Sequence, residues 1–310
     1  MKKRILVISS ANLDFVMNMT RVPGAGETLI DSGSYTYLPG GKGANAAVAL
    51  ARLGGDCVFC TRLGNDQNGK ALKGFYKDCG IDLRFVKQDE KAPTGLAAIL
   101  VEASGMNRII VYPGSNALLS KDDVEEAFTC YPDALFINFE IHSEIVQTAC
   151  EYAKRQGIPI FVDAGPADST VRLDLLGPLE VFSPNESETY EFTGIEPSNM
   201  ENCLRAAMLL QKKTQAKYII IKLGERGCFV YDGIHYNLCA PFETVSVDST
   251  AAGDAFTAAL TLEYLRGGDI LEACRFANAV GSIVVSKPGA SSSIPYEADV
   301  RRFLEEQKDI

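Results

Sequence analysis

The sequence contains no tryptophan, only two histidines and no long apolar run. Two imidazoles and no HExxH motif leave little material for a histidine-rich metal site or a Ser-His-Asp triad. The first apolar segment, residues 5–8 after a basic N-terminus, is too short for a signal-peptide core or a membrane span. We therefore expect a cytoplasmic protein with no membrane partner.

Basic residues are fewer than acidic ones, 30 against 40, and the net charge is −10. Non-specific nucleic-acid binding requires a basic surface, so we expect no nucleic-acid partner. Anionic ligands are not excluded, because backbone amides can hold a phosphate on an acidic protein.

The nine cysteines do not indicate a disulfide framework, because their number is odd and they are scattered along a long chain. Reduced thiols are the expected state. Cys57 and Cys60 form a CxxC pattern inside a strand-like segment, where residues three apart point to opposite faces. No second CxxC is present to complete a zinc site, so we interpret this pair as structural.

Short apolar runs alternate with amphipathic stretches along most of the chain. The strand-like runs are residues 5–9, 58–61, 134–139, 158–163, 181–183 and 218–223. The helical stretches are residues 44–53, 69–79, 143–156, 200–213, 251–266, 269–286 and 297–306. This alternation predicts an α/β fold: a three-layer α/β/α Rossmann-like core with a mostly parallel sheet.

Two regions break the alternation and predict a small second sheet. Residues 28–38 alternate polar and apolar positions, and a Ser-Gly-Met-Asn turn joins the strand-like runs 95–103 and 108–112. Because these regions are separated in sequence, we interpret them as an outgrowth of a single domain, residues 1–310. The outgrowth, residues 15–39 and 94–113, is placed to act as a lid over the edge of the core.

The most specific motif is DSTAAGDAF, residues 248–256, which opens a long apolar helix. Its small residues let the backbone approach a ligand, and free amides at a helix N-terminus favour an anion. Asp254 would accept the proton of an attacking hydroxyl, while the amides of Ala251, Ala252 and Gly253 stabilise a transferred phosphoryl group. The alternative is a helix cap, but a cap needs no Ala-Ala-Gly before it.

Two further segments suit a sugar. PGGKGAN, residues 39–45, opens another helix, and its Lys42 and Asn45 can bind hydroxyl groups; the alternative is a glycine-rich turn with a solvated lysine. Asn12 and Asp14 follow the first strand, where ligands gather in an open α/β sheet. Both residue types are also common after strands for turn formation alone.

Two segments follow strands late in the predicted sheet. In SPNESE, residues 183–188, Asn185 and Glu188 can act through a hydrated magnesium ion, or can form a capping box at a helix start. KLGERG, residues 222–227, is either part of a ligand site or a hairpin turn.

Two other patterns are false leads. The GxxxxGK at residues 64–70 is not a P-loop, because Ala71 stands where Ser or Thr must hold magnesium. The GxGxxA at residues 41–46 does not follow the first core strand, so a nicotinamide-dependent oxidoreductase has only this loose match in its favour.

Taken in this order, the segments resemble the ribokinase-like carbohydrate kinase family over nearly the whole chain. PGGKGAN resembles the family's N-terminal signature and DSTAAGDAF its C-terminal one. GSNA at residues 114–117 and NFE at residues 138–140 fall between them in the family's order. The lysine-containing form of the first signature is similar to that of ribokinases.

The resemblance implies an ATP-dependent sugar kinase that converts D-ribose to D-ribose 5-phosphate, with Asp254 as general base. It implies sugar contacts from Asn12, Asp14, Gly40, Gly41, Lys42, Asn45 and Glu140. It implies an ATP site formed by Asn185, Lys222, Gly224, Gly227 and Asn278, with Mg²⁺ held through water by Glu188. It implies a K⁺ site at Asp248, Thr250, Val284, Lys287, Gly289 and Ser293. A homodimer formed through the lid is a further implication.

The substrate stays open at this point. Ala46 and the segment 163–166 depart from the usual pattern of ribokinases, which leaves another sugar or a nucleoside as alternatives: fructose, adenosine, cytidine or pseudouridine. A sugar-binding protein without catalysis is the alternative from another class. The presence of Asp254, Gly253 and Asn185 argues against it.

Overall fold

The computed structural model describes residues 2–307 and contains two β-sheets. The strands, in chain order, are β1 (Arg4–Ile8), β2 (Asn12–Met19), β3 (Ser34–Gly40), β4 (Asp56–Gly64), β5 (Asp82–Asp89), β6 (Gly95–Glu102), β7 (Asn107–Tyr112), β8 (Ala134–Ile137), β9 (Ile160–Asp163), β10 (Val181–Ser183), β11 (Tyr218–Lys222), β12 (Cys228–Tyr231) and β13 (Tyr236–Cys239). The helices are α1 (Lys42–Arg52), α2 (Gln67–Asp78), α3 (Lys121–Ala127), α4 (Ser143–Gln156), α5 (Leu173–Leu176), α6 (Glu186–Thr193), α7 (Met200–Thr214), α8 (Ala252–Leu265), α9 (Ile270–Val285) and α10 (Glu297–Glu306).

The large sheet has nine strands in the order β13-β12-β11-β10-β9-β8-β1-β4-β5. Its seven strands from β11 to β5 pair in parallel, and β12 and β13 extend it as an antiparallel edge. The predicted α/β fold with a mostly parallel sheet is therefore confirmed, and so is each strand-like run assigned to it. The turn at residues 224–226 joins β11 to β12 as a hairpin.

Two buried apolar clusters lie on the opposite faces of this sheet, because successive side chains of a strand alternate in direction. Ile5 belongs to the cluster that includes residues of α1, α8 and α9, whereas Leu6 belongs to the cluster that includes residues of α3, α4 and α7. Cys57 belongs to the first cluster and Cys60 to the second, so their structural interpretation is confirmed. Within residues 2–307, no helix has the length and apolarity needed to cross a bilayer.

The second sheet has four strands in the order β3-β2-β6-β7. The expectation for residues 28–38 was only partly right, since the strand begins at Ser34. No strand was predicted for β2, because polar residues directly after β1 are typical of a loop. Pairing with β3 on one side and β6 on the other supplies the backbone hydrogen bonds that make it a strand.

Candidate active site

The carboxyl ends of the parallel strands and the N-termini of α1 and α8 meet on one edge of the large sheet. Glu140 follows β8, Asp163 ends β9 and Lys222 ends β11. Asn12 and Asp14 begin β2, which joins the core to the small sheet. An open α/β sheet collects ligands at this edge, and the predicted site residues converge there.

Asp254 lies in the first turn of α8 and is 5% exposed. Asn45 Nδ2 donates a hydrogen bond to Asp254 Oδ2 at 2.9 Å, and Ser291 Oγ donates to Asn45 Oδ1 at 2.6 Å. Lys42 Nζ lies 3.5 Å from Asp254 Oδ1. The carboxylate is thus held in one orientation by an amide and a cation.

Lys42 is not the solvated turn lysine of the alternative interpretation. The attraction of Asp254, opposed by burial and supported by Asp163, raises the pKa of Lys42, so its ammonium group stays charged. Gly41 precedes α1 with φ 88°, a conformation that favours glycine, and this backbone turn aims Lys42 at the site.

A second group of acids lies beside Asp254. Glu140 Oε2 accepts hydrogen bonds from the Ser10 hydroxyl and, at 2.7 Å, from the Lys42 backbone amide. Burial, and then the charges of Glu140 and Asp254, raise the pKa of Asp14 to about 7. Burial likewise raises the pKa of Glu140. Clustered carboxylates of this kind are suited to a ligand rich in hydroxyl donors, which would offset their mutual repulsion.

Asn12 and Gly40 complete this end of the site. The two residues pair across β2 and β3, and Gly40 packs directly against the Asp14 carboxylate. Asn116 Nδ2 donates to Asn12 Oδ1 at 2.8 Å and so fixes its amide. Asn116 and Ser10 are supporting residues that the sequence did not assign. The GSNA segment, residues 114–117, was the sequence feature that could have identified Asn116.

A cavity of about 870 Å³ lies on the other side of the α8 N-terminus. Of the five residues predicted for ATP, Lys222, Gly224, Gly227 and Asn278 line it. The cavity is also lined by residues 241–246, which no sequence motif pointed to, and by Ser249 and Phe256 of the DSTAAGDAF motif. Ala252 and Gly253 form its boundary toward Asp254.

The N-terminus of α8 carries the features of an anion site. Ala251 precedes the helix with φ 65°, and no side chain caps the N-terminus of the helix. Lys222 Nζ lies 2.6 Å from Asp163 Oδ1 and beside Gly253. Burial, opposed by the attraction of Lys222, raises the pKa of Asp163 to about 6. The sequence did not assign a role to Asp163.

Asn185 and Glu188 form the capping box that was the alternative to a magnesium role. Asn185 Oδ1 accepts from the Glu188 amide at 2.8 Å, and Glu188 Oε2 accepts from the Asn185 amide at 2.8 Å. Asn185 does not line the cavity. The other carboxylate oxygen of Glu188 is not used by the cap, and its charge contributes to the raised pKa of Lys42. One oxygen facing the site is compatible with a hydrated magnesium ion.

The residues expected to hold a monovalent cation lie on two segments that the structure brings together. Asp248 Oδ1 accepts from the amide and hydroxyl of Thr250, at 2.9 and 2.6 Å, and Oδ2 accepts from the Gly289 amide at 2.9 Å. Although partial burial opposes the effect, these bonds lower the pKa of Asp248. Val284 lies in the last turn of α9 and Lys287 follows that helix, while the Ser293 hydroxyl donates to the Ala290 carbonyl at 2.8 Å.

Comparisons with known proteins identify the family to which this chain belongs. The model of the pfkB family carbohydrate kinases matches residues 2–297. Ribokinase of Haemophilus influenzae is 34% identical over 307 residues, which cover 98% of this chain and 99% of that protein. Ribokinase of Arabidopsis thaliana is 32% identical over 311 residues, covering 97% of this chain and 80% of that protein. The solved structure of the Arabidopsis enzyme complexed with ribose and ATP has a TM-score of 0.91 at 31% identity, covering 98% of this chain and 99% of that one.

Proposed function

Because this chain belongs to the pfkB family of carbohydrate kinases, we propose that it transfers the γ-phosphoryl group of ATP to D-ribose and forms D-ribose 5-phosphate. The observation that carries this proposal is the position of Asp254. This residue lies between the buried side chains that suit a polyol and the cavity beyond the α8 N-terminus.

Ribose binds at the end of the site formed by Asn12, Asp14, Gly40, Gly41, Lys42, Asn45 and Glu140. Their carboxylate, amide and ammonium groups match the donors and acceptors of a small polyol. The bonds from Asn45 and Lys42 orient Asp254 so that one carboxylate oxygen can accept the proton of the 5-hydroxyl as it attacks phosphorus.

ATP occupies the cavity, with its γ-phosphate at the N-terminus of α8. The amides of Ala251, Ala252 and Gly253 and the Lys222 ammonium group stabilise negative charge on the transferred group. When bound, Mg²⁺ neutralises charge on the phosphate oxygens, and Glu188 would hold it through water. K⁺ would bind at the Asp248 loop and shape the backbone beside α8.

The small sheet supports a homodimer formed through the lid. All six residues of β7 are exposed, and this edge strand is rich in apolar side chains. An exposed apolar edge strand is a surface that proteins normally cover. The nine free cysteines support a reducing, cytoplasmic location.

The dimer is tested by Ile109→Asp and Ile110→Asp, which place a charge on either face of β7. We expect each variant to elute as a monomer in size-exclusion chromatography with light scattering. Ile234→Asp, at a more exposed apolar position in the turn between β12 and β13, should stay dimeric. A monomeric wild-type protein would disprove this part of the proposal.

The substrate is tested by measuring ADP release from MgATP with ribose, deoxyribose, fructose, adenosine, cytidine and pseudouridine, each in potassium and in sodium. We expect ribose to be preferred and the rate to be higher in potassium. Preference for a nucleoside or a hexose would keep the kinase and refute the ribose assignment. No turnover with any acceptor would favour a binding protein instead.

A further inference from the structure

Three cysteines from separate elements converge beside the cavity. Cys228 on β12 and Cys239 on β13 are direct partners in the antiparallel ladder, and Cys274 approaches them from α9. Their three sulfur atoms all lie within 4.8 Å of one another. Cys228 and Cys274 have no exposed surface, whereas Cys239 is half-buried and provides access from solvent.

We propose that Cys228, Cys239 and Cys274 form a binding site for a thiophilic d¹⁰ metal ion, Zn²⁺ or Cu⁺. A zinc–sulfur bond is about 2.3 Å long, so three coordinating sulfurs are separated by roughly 4 Å. The observed triangle needs only small side-chain shifts to reach this size. Sulfur ligands select soft cations, and the hard cations Mg²⁺ and K⁺ of the phosphate site are not competitors here.

The number of sulfurs distinguishes this cluster from ordinary buried cysteines. Cys150, for example, is a single core thiol whose burial raises its pKa to about 12. Cys228, Cys239 and Cys274 instead place three sulfur atoms within 4.8 Å of one another. A disulfide would use two of the three sulfurs, whereas a three-coordinate Cu⁺ or a Zn²⁺ with one water uses all of them. Binding releases one proton from each thiol that enters as thiolate.

The cluster is joined to the wall of the proposed ATP cavity by hydrogen bonds and by contact. Asn278, one turn after Cys274 on α9, donates from Nδ2 to the carbonyl oxygens of Cys239 and Ala240 at 3.2 and 2.9 Å. Gly227 packs against the same Cys239 carbonyl. Both residues line the cavity. Metal binding that repositions Cys239 therefore alters the nucleotide side of the site, a consequence that rests on the proposed kinase function.

Metal binding itself is tested without reference to activity. The full chain is reduced, freed of metal and titrated with Co²⁺ as a spectroscopic substitute for Zn²⁺, with Zn²⁺ itself, and with Cu⁺ held by a coloured competing chelator. We expect a sulfur-to-cobalt charge-transfer band and one tightly held ion per chain after gel filtration. The competition experiments show whether Zn²⁺ or Cu⁺ binds more tightly.

Cys239→Ser should abolish the band and the retained ion. The matched control is Cys79→Ser, because Cys79 is also half-buried but lies at the end of α2, near the opposite edge of the large sheet. The control should bind metal as the wild type does. A second measurement needs no variant: metal should protect Cys228, Cys239 and Cys274 from alkylation, as read by peptide mass spectrometry, and leave Cys79 reactive.

Failure to retain any ion, equal retention by Cys239→Ser, or a Cys228–Cys239 disulfide formed without metal uptake would each overturn the proposal. In the kinetic test, metal-loaded wild type should show a several-fold higher KM for ATP and an unchanged KM for ribose. The metal stoichiometry and the alkylation results do not depend on kinase activity. Failure of the metal-site proposal can therefore be distinguished from failure of the ribose-kinase proposal.

Discussion

The two ends of the active site are built in different ways. At the sugar end, buried charged and amide side chains are joined by short contacts: Lys42, Asn45 and Glu140 are engaged with protein groups, and Asp14 is buried beside Glu140 and Asp254. At the nucleotide end, the cavity is lined by glycines, hydroxyl groups and apolar side chains of loops. A small polyol is thus recognised by side-chain chemistry, whereas the nucleotide is accommodated by backbone shape and the α8 N-terminus.

Asp254 stands where the two ends meet, and its replacement should have the largest effect. Asp254→Asn keeps the size of the side chain but cannot accept the hydroxyl proton. We expect kcat to fall by about 10³-fold, within the usual range for removal of a general base, with both KM values changed only a few-fold. Steady-state kinetics with ribose and ATP measure this.

The control for Asp254 is Asp299→Asn, which removes an exposed carboxylate from the first turn of α10 and should leave kcat unchanged. Full turnover by Asp254→Asn would mean that another group takes the proton.

Asp14 probes the sugar end alone. At about pH 8, where Asp14 is ionised, Asp14→Asn replaces a charged acceptor by a neutral one. We expect kcat/KM for ribose to fall roughly 10- to 100-fold there, because hydrogen bonds to charged groups contribute about 1.5–3 kcal/mol. The KM for ATP should not change. An equal rise in both KM values would show that the two ends are not separable.

The same variant makes a prediction about pH and stability. The unfolded chain releases the Asp14 proton near pH 4, but the folded chain holds it until about pH 7. The stabilisation by this proton is therefore complete below about pH 4 and is lost as the pH rises through 7. Asp14→Asn has no such loss, so its Tm without ligand should exceed that of the wild type more at about pH 8 than at about pH 5. A difference in Tm that does not vary with pH would contradict the raised pKa.

Gly227 probes the nucleotide end. Its φ of 82° disfavours other residues, and a Cβ would lie 2.1 Å from the Cys239 carbonyl oxygen. With ψ −129°, this backbone conformation is nearly restricted to glycine, so Gly227→Ala should displace the Cys239 carbonyl and with it the cavity wall, and raise the KM for ATP roughly tenfold. The KM for ribose should stay near its wild-type value.

Gly74→Ala is the matched control, because Gly74 lies inside α2 with open space around its Cβ position. It should leave both KM values unchanged and stabilise the fold slightly. A Gly227→Ala protein with wild-type kinetics would mean that this wall does not contact the nucleotide.

Much of this arrangement could be predicted from local sequence. PGGKGAN and DSTAAGDAF each begin a helix, as their small residues indicated, and the apolar runs became the parallel strands. A helix start depends on neighbouring residues, so a short segment is sufficient evidence for it. The ends of β2 and β3 were harder to predict from the sequence, because a strand with polar residues is stabilised by partners distant in sequence.

Contacts between distant segments could not be predicted in this way. Ser291 fixes the Asn45 amide across 246 positions, and the Lys222–Asp163 pair joins the ends of two strands. The three-cysteine cluster is of the same kind, since no spacing rule connects residues 228, 239 and 274.

The sequence by itself determined the family of folds, the two helix starts that flank the reaction centre and the identity of the proposed base. Only the tertiary structure decided which groups touch one another and which of them hold a proton. Asp14 has the pKa of an ordinary aspartate in an unfolded chain, and it is shifted to about 7 because folding removes water from it and places Glu140 and Asp254 nearby. Charge state depends on surroundings in space, and those surroundings exist only once the chain has folded.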